Sequence, residues 1–396
     1  MKKLLLTLFT SAMTLGAAAQ FNGNGYYRVY NLGRSVLDKK MYYVYVDYNR
    51  TIVSTSAGTG QNFEAIALWQ DTRRSPISDP ASVVYAKLSG NTVDLEAQGT
   101  SVSQMTDNKL YLTQNGKANS YMLSAIKSGV TLYLWSSTNY ILYHYIATTT
   151  EAKGKTAYKY WAVTPVSSSS DNYFGVKPTL AANGKYYAPF YAGFPFKFAS
   201  SGMKAYYVKN YNSEHFALEE ITSEVKPGKT PMLIECSSEN PSDNRLDLQY
   251  GNFSGVSGNK LKGTYFCNDF MEGTVFPDAR VTFNPKTMRT WNVENGQLVL
   301  STNIEYLHES TLADYFPEEL GVGYINSNES YLVVPESTNT TLTLVPTGVN
   351  EITSYADAAE PVSYSTIGGV KIDAPKAGMG VVLVKYADGT VRKVNY

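Results

Sequence analysis

The stretch that decides the fold class is VYAKLSGNTVDLEAQG at residues 84–99, in which apolar and polar residues alternate on both sides of a Ser-Gly turn. A second stretch with the same layout, YMLSAIKSGVTLYLW, occupies residues 121–135. Such alternation is typical of strands with one buried face, and a short Gly-containing break between two of them predicts a hairpin. Helical periodicity is nearly absent elsewhere, so the sequence predicts an all-β protein.

The chain divides into three predicted β regions after a targeting segment. Residues 25–55 form a looser third copy of the two hairpin stretches, and three copies of about 40 to 55 residues predict a β-trefoil-like domain at residues 20–173. Residues 174–346 are predicted to form a β-sandwich domain. Residues 347–396 comprise a polar linker and a small C-terminal β-module, in which Asp388-Gly389 between two alternating runs predicts a type I′ hairpin.

The first 19 residues have the layout of a signal peptide. Lys2 and Lys3 precede an apolar run at residues 4–15, and Ala17 and Ala19 supply a small-x-small cleavage pattern. The apolar run is shorter than the roughly 20 residues that a membrane-spanning helix needs. We therefore expect an exported protein, periplasmic, outer-surface or extracellular, with a mature chain that begins at Gln20 and has no transmembrane segment.

Charge and composition narrow the possible partners. The 34 basic residues equal the 34 acidic ones, so the chain has no basic surplus of the kind that nucleic-acid binding needs. The 33 tyrosines are unusually many. Tyrosine favours strands and combines an apolar ring with a hydroxyl group, which suits either a β-rich surface or a binding surface. Both interpretations of the tyrosine content stay open at this point.

Two regions resemble modules of secreted Bacteroidetes proteins. The order of GKYYAPF (184–190), MKAYYV (203–208), VKPGKTP (225–231) and SYLVVP (330–335) is similar to a module common in those proteins, which implies a β-sandwich without known chemistry. The segments YSTIGGVK (364–371) and residues 376–394 resemble the short C-terminal tails of exported Bacteroidetes proteins, some of which are sorting signals. Gly369 stands where that pattern has a basic residue, so a plain terminal β-module is an equal alternative.

Catalytic signatures are missing from the sequence. It contains neither a Gly-x-Ser-x-Gly nucleophile elbow nor a phosphate-binding loop, and His308-Glu309 lacks the second histidine of a metalloprotease motif. Residues 243–247 (DNRLD) lack the Gly and terminal Glu of a calcium loop and are interpreted as a solvated turn. No metal and no cofactor is expected. A glycosidase, which needs only a pair of carboxylates, stays open as a third-ranked function.

Aromatic residues concentrated in one short segment form the candidate binding site, Tyr133, Trp135, Tyr140 and Tyr143. In the predicted strand at residues 130–135, Tyr133 and Trp135 alternate with aliphatic residues and therefore lie on one face. Exposed, the pair could stack on sugar rings of a glycan or contact a cell-surface protein. The alternative is that this face packs on a neighbouring domain, as in a structural or adhesin-assembly protein.

The two cysteines, Cys236 and Cys267, each end a strand-like run. Export to an oxidising compartment permits a disulfide between them, although two separate thiols are an equal alternative. One helix is predicted, at residues 301–315, from apolar residues at helical spacing that end before Pro317.

Overall fold

The structure is a computed structural model, and it describes the following residues: 21–32, 43, 45–53, 62–67, 75–89, 92–97, 109–114, 116–124, 131–137, 144–147, 155–264, 281–304, 323, 325–326, 328–345, 361–366, 368–376, 380–386 and 391–395. Within them the regular structure is almost entirely β, as predicted, with two short 3₁₀ helices at Pro80–Ser82 and Pro241–Asp243. The signal peptide and most of the predicted linker lie outside the described residues.

The N-terminal region contains eleven described strands: β1 Gly25–Asn31, β2 Tyr45–Val53, β3 Asn62–Ala67, β4 Val84–Ser89, β5 Thr92–Ala97, β6 Lys109–Gln114, β7 Tyr121–Ser124, β8 Thr131–Ser137, β9 His144–Ala147, β10 Lys155–Tyr158 and β11 Tyr160–Pro165. Six of them close an antiparallel ring in the order β1-β4-β5-β6-β7-β11, with β11 paired back to β1. The hairpin of β2 and β3 interrupts the ring after β1, and β8 to β10 interrupt it after β7.

The interior of this ring is a single apolar core to which every ring strand contributes. Its members are alternate residues of the strands, as the alternating sequence pattern requires: Tyr27, Val29, Val84, Ala86, Val93, Leu95, Leu112, Tyr121, Leu123, Trp161 and Val163. Six barrel strands with hairpin excursions are also what a β-trefoil has, so the ring is compatible with the trefoil prediction. The third excursion would occupy residues 98–108, outside the described residues, and the trefoil assignment stays a prediction.

The central region contains thirteen described strands: β12 Phe174–Gly175, β13 Leu180–Ala182, β14 Lys185–Phe190, β15 Phe196–Phe198, β16 Lys204–Tyr211, β17 His215–Glu220, β18 Met232–Cys236, β19 Arg245–Leu248, β20 Leu261–Gly263, β21 Met288–Glu294, β22 Gln297–Ser301, β23 Ser330–Val333 and β24 Thr341–Leu344. They form a three-stranded sheet, β12-β19-β15, and a ten-stranded sheet, β13-β14-β18-β16-β17-β24-β22-β21-β23-β20. All described pairings in these two sheets are antiparallel except that of β17 with β24.

Two cores lie on opposite faces of the ten-stranded sheet, and β18 contributes to both. Met232, Ile234 and Cys236 point into the core that the three-stranded sheet covers, whereas Leu233 points into the second core beside Trp291. A strand buried on both faces reads as a continuous apolar run, as Met232–Cys236 largely does. The three-stranded sheet therefore packs on one face of the larger sheet; the specific sandwich assignment stays a prediction.

The N-terminal ring and the central region share the first of these cores. Tyr26 and Tyr85, on the outer face of the ring, pack with Phe174 and Phe194 of the central region. Beside this contact, the buried Arg28 donates hydrogen bonds to the Ser82 hydroxyl at 3.0 Å and to the Asn172 side-chain oxygen at 2.6 Å. The face of β1 that points away from the ring core is therefore buried in the contact with the central region.

The start of the helix expected at residues 301–315 is wrong, because Ser301 is the last residue of β22, between Thr290 on β21 and Thr341 on β24. Residues 305–315 lie outside the described residues, so a helix there stays a prediction. The solvated turn predicted at residues 243–247 is also wrong in part. The turn expected at residues 243–247 is solvated only at Asp243 and Asp247. Asn244 is fully buried, and its side-chain amide donates to the carbonyl groups of Val176, Ser238 and Asn240 while β19 begins at the next residue.

The C-terminal region is a four-stranded antiparallel sheet in the order β26-β25-β27-β28. Its strands are β25 Pro361–Thr366, β26 Lys371–Ile372, β27 Val381–Tyr386 and β28 Val391–Asn395. The predicted pairing of the last two strands is confirmed, with Val381 opposite Asn395 and Lys385 opposite Val391. The Asp388-Gly389 turn itself lies outside the described residues.

Candidate binding surfaces

The predicted aromatic segment lies on a three-stranded flap that extends from the ring. β8 pairs with ring strand β7 only through Thr131 and Leu132, and beyond them it lies between β9 and β10. Tyr133 and Trp135 are both in β8, two positions apart, as the prediction requires. Tyr140 and Tyr143 lie outside the described residues.

The register of the flap adds an aromatic position that sequence reasoning left out of the site. Trp135 is directly opposite Tyr145 on β9 and Ala157 on β10, and Tyr133 is opposite Ala147. Residues directly opposite in an antiparallel pair lie on the same side of the sheet. Positions 133, 135 and 145 therefore share one side of the flap, which groups three aromatic residues from two strands.

A second group of aromatic residues lies where the ring meets the central region, and the sequence analysis missed it. Tyr250 stacks on Tyr85 with ring centroids 3.8 Å apart and an interplanar angle of 9°. Tyr85 is only 8% exposed, whereas Tyr250 is 57% exposed and Phe253 is 41% exposed. The signal that could have revealed this group is a pair of aromatic residues within a glycine-rich segment, QYGNFSGVSG at residues 249–258, because such segments favour surface loops.

The best-defined group of charged side chains surrounds Glu235 on β18. Lys185 donates to both carboxylate oxygens of Glu235, at 2.9 and 3.0 Å, and the Tyr206 hydroxyl donates to one of them at 3.3 Å. Burial, followed by the neighbouring Glu235 and Glu220 charges, raises the pKa of Tyr206. The hydrogen bond to Glu235 raises the pKa of Lys185. This carboxylate is already bound by a cation and a phenol, so the arrangement is that of a structural ion pair.

The side chains of His215 and Cys236 have structural surroundings. The Nδ1 atom of His215 lies 2.7 Å from the Thr343 hydroxyl, across the parallel pairing of β17 and β24. Cys236 is a buried free thiol, and burial together with Glu235 raises its pKa to about 12. Its predicted partner, Cys267, lies outside the described residues, so the disulfide stays a prediction. No group of three metal-binding side chains occurs within the described residues.

Comparison of the chain with known protein families, with curated proteins and with solved structures finds no match. Among the helices of the described residues, none has the length and apolar character to cross a membrane.

Proposed function

We propose that the chain is an exported, non-catalytic binding protein that recognises a glycan or a cell-surface protein. The observation that supports the proposal is the register of the flap, which brings positions 133 and 135 of β8 to the same side as position 145 of β9. Aromatic rings offer large apolar area with a polar edge and bind partners with low loss of conformational freedom. A glycan is the first ligand to test, because sugar rings stack on such side chains.

The test is a glycan array probed with the mature protein and with the Tyr133→Ala/Trp135→Ala double variant. Binding that the double variant loses would support the flap as the site. Binding of a purified cell-surface protein, with no glycan bound, would favour the protein-recognition form of the proposal. Absence of both would contradict it.

A structural or assembly role is the second candidate, and one observation favours it. Tyr26 and Tyr85, on the outside of the ring, are used as an interface with Phe194 of the central region. The flap could be an interface of the same kind with another copy or subunit. Light scattering of the wild-type protein and the double variant separates the two candidates, because only an assembly interface makes the oligomeric state depend on these residues.

Export and the lack of catalysis are parts of the same proposal. The Lys-Lys, apolar and Ala-x-Ala pattern at the N-terminus supports export, and an N-terminus at Gln20 in the mass spectrum of the mature protein is the expected result. An intact Met1 on exported protein would contradict it. Hydrolysis of polysaccharides by the purified protein would instead favour the glycosidase alternative.

A further inference from the structure

The loop at residues 249–258 (QYGNFSGVSG) combines two exposed aromatic side chains with a complete absence of charged residues. Its polar groups are amides and hydroxyls. Tyr250 and Phe253 are among the most exposed large apolar side chains of the described residues, at 57% and 41%. A loop that offers apolar rings beside neutral hydrogen-bonding groups, with a single carboxylate (Asp247) next to it, is complementary to a neutral ligand that has apolar faces and hydroxyl groups.

The Tyr250 ring is held in place before any ligand arrives. One of its faces is covered by the Tyr85 ring at 3.8 Å, so the large exposed fraction of Tyr250 belongs to the opposite face and the ring edge. Tyr85 is itself buried and in edge contact with Tyr26 at 5.3 Å. Binding to a ring that is already fixed costs less conformational entropy than binding to a mobile one.

The backbone on the N-terminal side of the ring is also fixed. The backbone carbonyl of Gln249 accepts a hydrogen bond from the Tyr26 hydroxyl at 2.7 Å, and the backbone N–H of Gln249 donates to the Pro195 carbonyl at 2.8 Å. The Gln249 side chain donates to an Asp247 carboxylate oxygen at 2.8 Å, which places an amide and a carboxylate one and three residues before Tyr250. These groups can exchange hydrogen bonds with hydroxyl groups of a ligand.

The second ring is brought close by a glycine. Gly251 has a φ of +136°, a backbone conformation that residues with a side chain rarely adopt. A Cβ atom built on Gly251 would lie 3.4 Å from the Phe253 ring. Phe253 thus folds back over the residue that follows Tyr250. Tyr250 and Phe253 are thus two exposed rings on one loop, three positions apart in the sequence, with the Phe253 ring beside Gly251.

We propose that Tyr250 and Phe253 form a sugar-binding site, separate from the flap, for a neutral pyranose unit of a polysaccharide. The inference rests on the proposed glycan-binding function and assigns it a second site. Stable protein–protein interfaces bury on the order of 800 Å² on each partner, far more than two side chains expose. A single sugar ring, with apolar C–H faces and hydroxyl edges, matches two exposed rings flanked by amides and hydroxyls.

The experiment is affinity electrophoresis of the mature protein in native gels that contain mannan, xyloglucan or galactomannan, all neutral polysaccharides. We expect at least one of them to retard the wild-type protein. Tyr250→Ala should weaken the interaction by about tenfold, equivalent to about 1.4 kcal/mol. Tyr250→Phe keeps the ring and should retain most of the binding, and Phe253→Ala should weaken it independently.

Tyr160→Ala is the matched control, because Tyr160 is another exposed tyrosine, 38% exposed, on ring strand β11. This variant should bind as the wild-type protein does. Thermal unfolding of each variant checks that the fold is intact, and Tyr250→Phe and Phe253→Ala keep the test valid if Tyr250→Ala does not fold.

The possible results separate this inference from the proposed function. Retardation that is lost in Tyr133→Ala/Trp135→Ala and unchanged in Tyr250→Ala and Phe253→Ala would overturn the second site and leave glycan binding by the flap intact. Retardation that is lost in the loop variants supports the second site. If none of the three polysaccharides retards the wild-type protein, the site as proposed is wrong, while the glycan array still tests the flap.

Discussion

Asn183 and Gln297 exchange two side-chain hydrogen bonds, each 3.0 Å long, and thereby join two hairpin turns that are distant in sequence. Asn183-Gly184 connects β13 to β14, and Asn295-Gly296 connects β21 to β22; both Asn-Gly pairs have positive φ angles, 52° and 73° in the first and 51° and 76° in the second. The backbone N–H of Asn183 also donates a hydrogen bond to the Gly296 carbonyl at 3.1 Å. The hairpin of β13 and β14 at the edge of the ten-stranded sheet therefore contacts the hairpin of β21 and β22, which is separated from it by several strands in the sheet order, so the sheet is strongly curled.

Gln297→Ala should remove both side-chain bonds of this contact and lower the free energy of unfolding by about 1 kcal/mol, because water replaces exposed hydrogen bonds in part. Gln297→Glu keeps one acceptor for the Asn183 amide and should lose less. Urea denaturation measures both changes. Equal stability of the wild-type protein and the Ala variant would mean that the contact contributes nothing to closing the sheet.

Tyr26 is expected to couple the ring to the central region. Its ring contacts Tyr85 and Phe194, and its hydroxyl donates to the Gln249 carbonyl. Tyr26→Ala should lower the free energy of unfolding by about 3–5 kcal/mol, as other large-to-small core substitutions do, and Tyr26→Phe by about 1 kcal/mol.

The exposed Tyr160 is the control for that prediction, since Tyr160→Ala should change the stability by less than about 0.5 kcal/mol. Because the two regions share a core, denaturation of the wild-type protein should show one cooperative transition for both. Two separate unfolding transitions, together with a loss of stability in Tyr26→Ala no larger than that in Tyr160→Ala, would show that the shared core does not couple the two regions.

Gly263 on β20 should not tolerate a side chain. A Cβ atom there would lie 2.2–2.4 Å from carbon atoms of the Tyr191 ring, well inside van der Waals contact. Gly263→Ala should therefore cost about 1–3 kcal/mol of stability, the usual range for an overpacked site. Gly255→Ala is the control, because the atom nearest to a Cβ atom at residue 255 would be the Thr230 hydroxyl oxygen, at an ordinary contact distance of 3.9 Å. Similar melting temperatures for the two variants would contradict the close packing of Tyr191 on β20.

The Cys236 thiol should be unreactive while the protein is folded. Burial raises its pKa to about 12, so at pH 8 almost none of it is the reactive thiolate. In a Cys267→Ala variant, whose only thiol is Cys236, iodoacetamide should modify the unfolded protein rapidly and the folded protein very slowly, as measured by mass spectrometry. Rapid modification of the folded variant would contradict the burial.

The same thiol should make stability depend on alkaline pH. An unfolded thiol titrates near pH about 8.5, and the folded one only near about 12, so the folded state retains a proton that the unfolded state has lost. In the Cys267→Ala variant, where Cys236 is a free thiol, the free energy of unfolding should fall as the pH rises between these values, and it should fall less when Cys236→Ala is added.

The predicted bridge between Cys236 and Cys267 is tested by counting labelled thiols in the wild-type protein, unfolded without reductant. Zero labelled thiols would establish the bridge, and two would exclude it.

Tyr133→Ala/Trp135→Ala should weaken glycan binding by roughly tenfold or more, since a stacked ring contributes on the order of 1 kcal/mol and about 1.4 kcal/mol is a factor of ten. The melting temperature should stay close to that of the wild-type protein if the two rings face solvent. A fall of many degrees would show that they are buried, and the binding site would then have to be sought among Tyr42, Tyr43 and Tyr45.

The sequence by itself determined the strands whose pattern is local. The hairpin predicted at residues 84–99 is formed by β4 and β5, and the all-β class follows from the alternating pattern that each strand carries in its own residues. The predicted start of the helix at residues 301–315 was wrong, because Ser301 belongs to β22 and pairs with Thr290 on β21 and Thr341 on β24. Neither of these neighbours is visible in a local window of sequence, so the end of the strand could not be placed from the sequence alone.

Only the tertiary structure decided which faces are interior. Tyr26 and Tyr250 are the same residue type in polar-looking segments, yet one is buried between two regions and the other is exposed on a loop. The parallel pairing of β17 with β24 and the contact of Asn183 with Gln297 join residues more than a hundred positions apart. A sequence pattern reports which side of a strand is apolar, but the surface that covers that side is supplied by distant parts of the chain, so it is determined only when the whole chain packs.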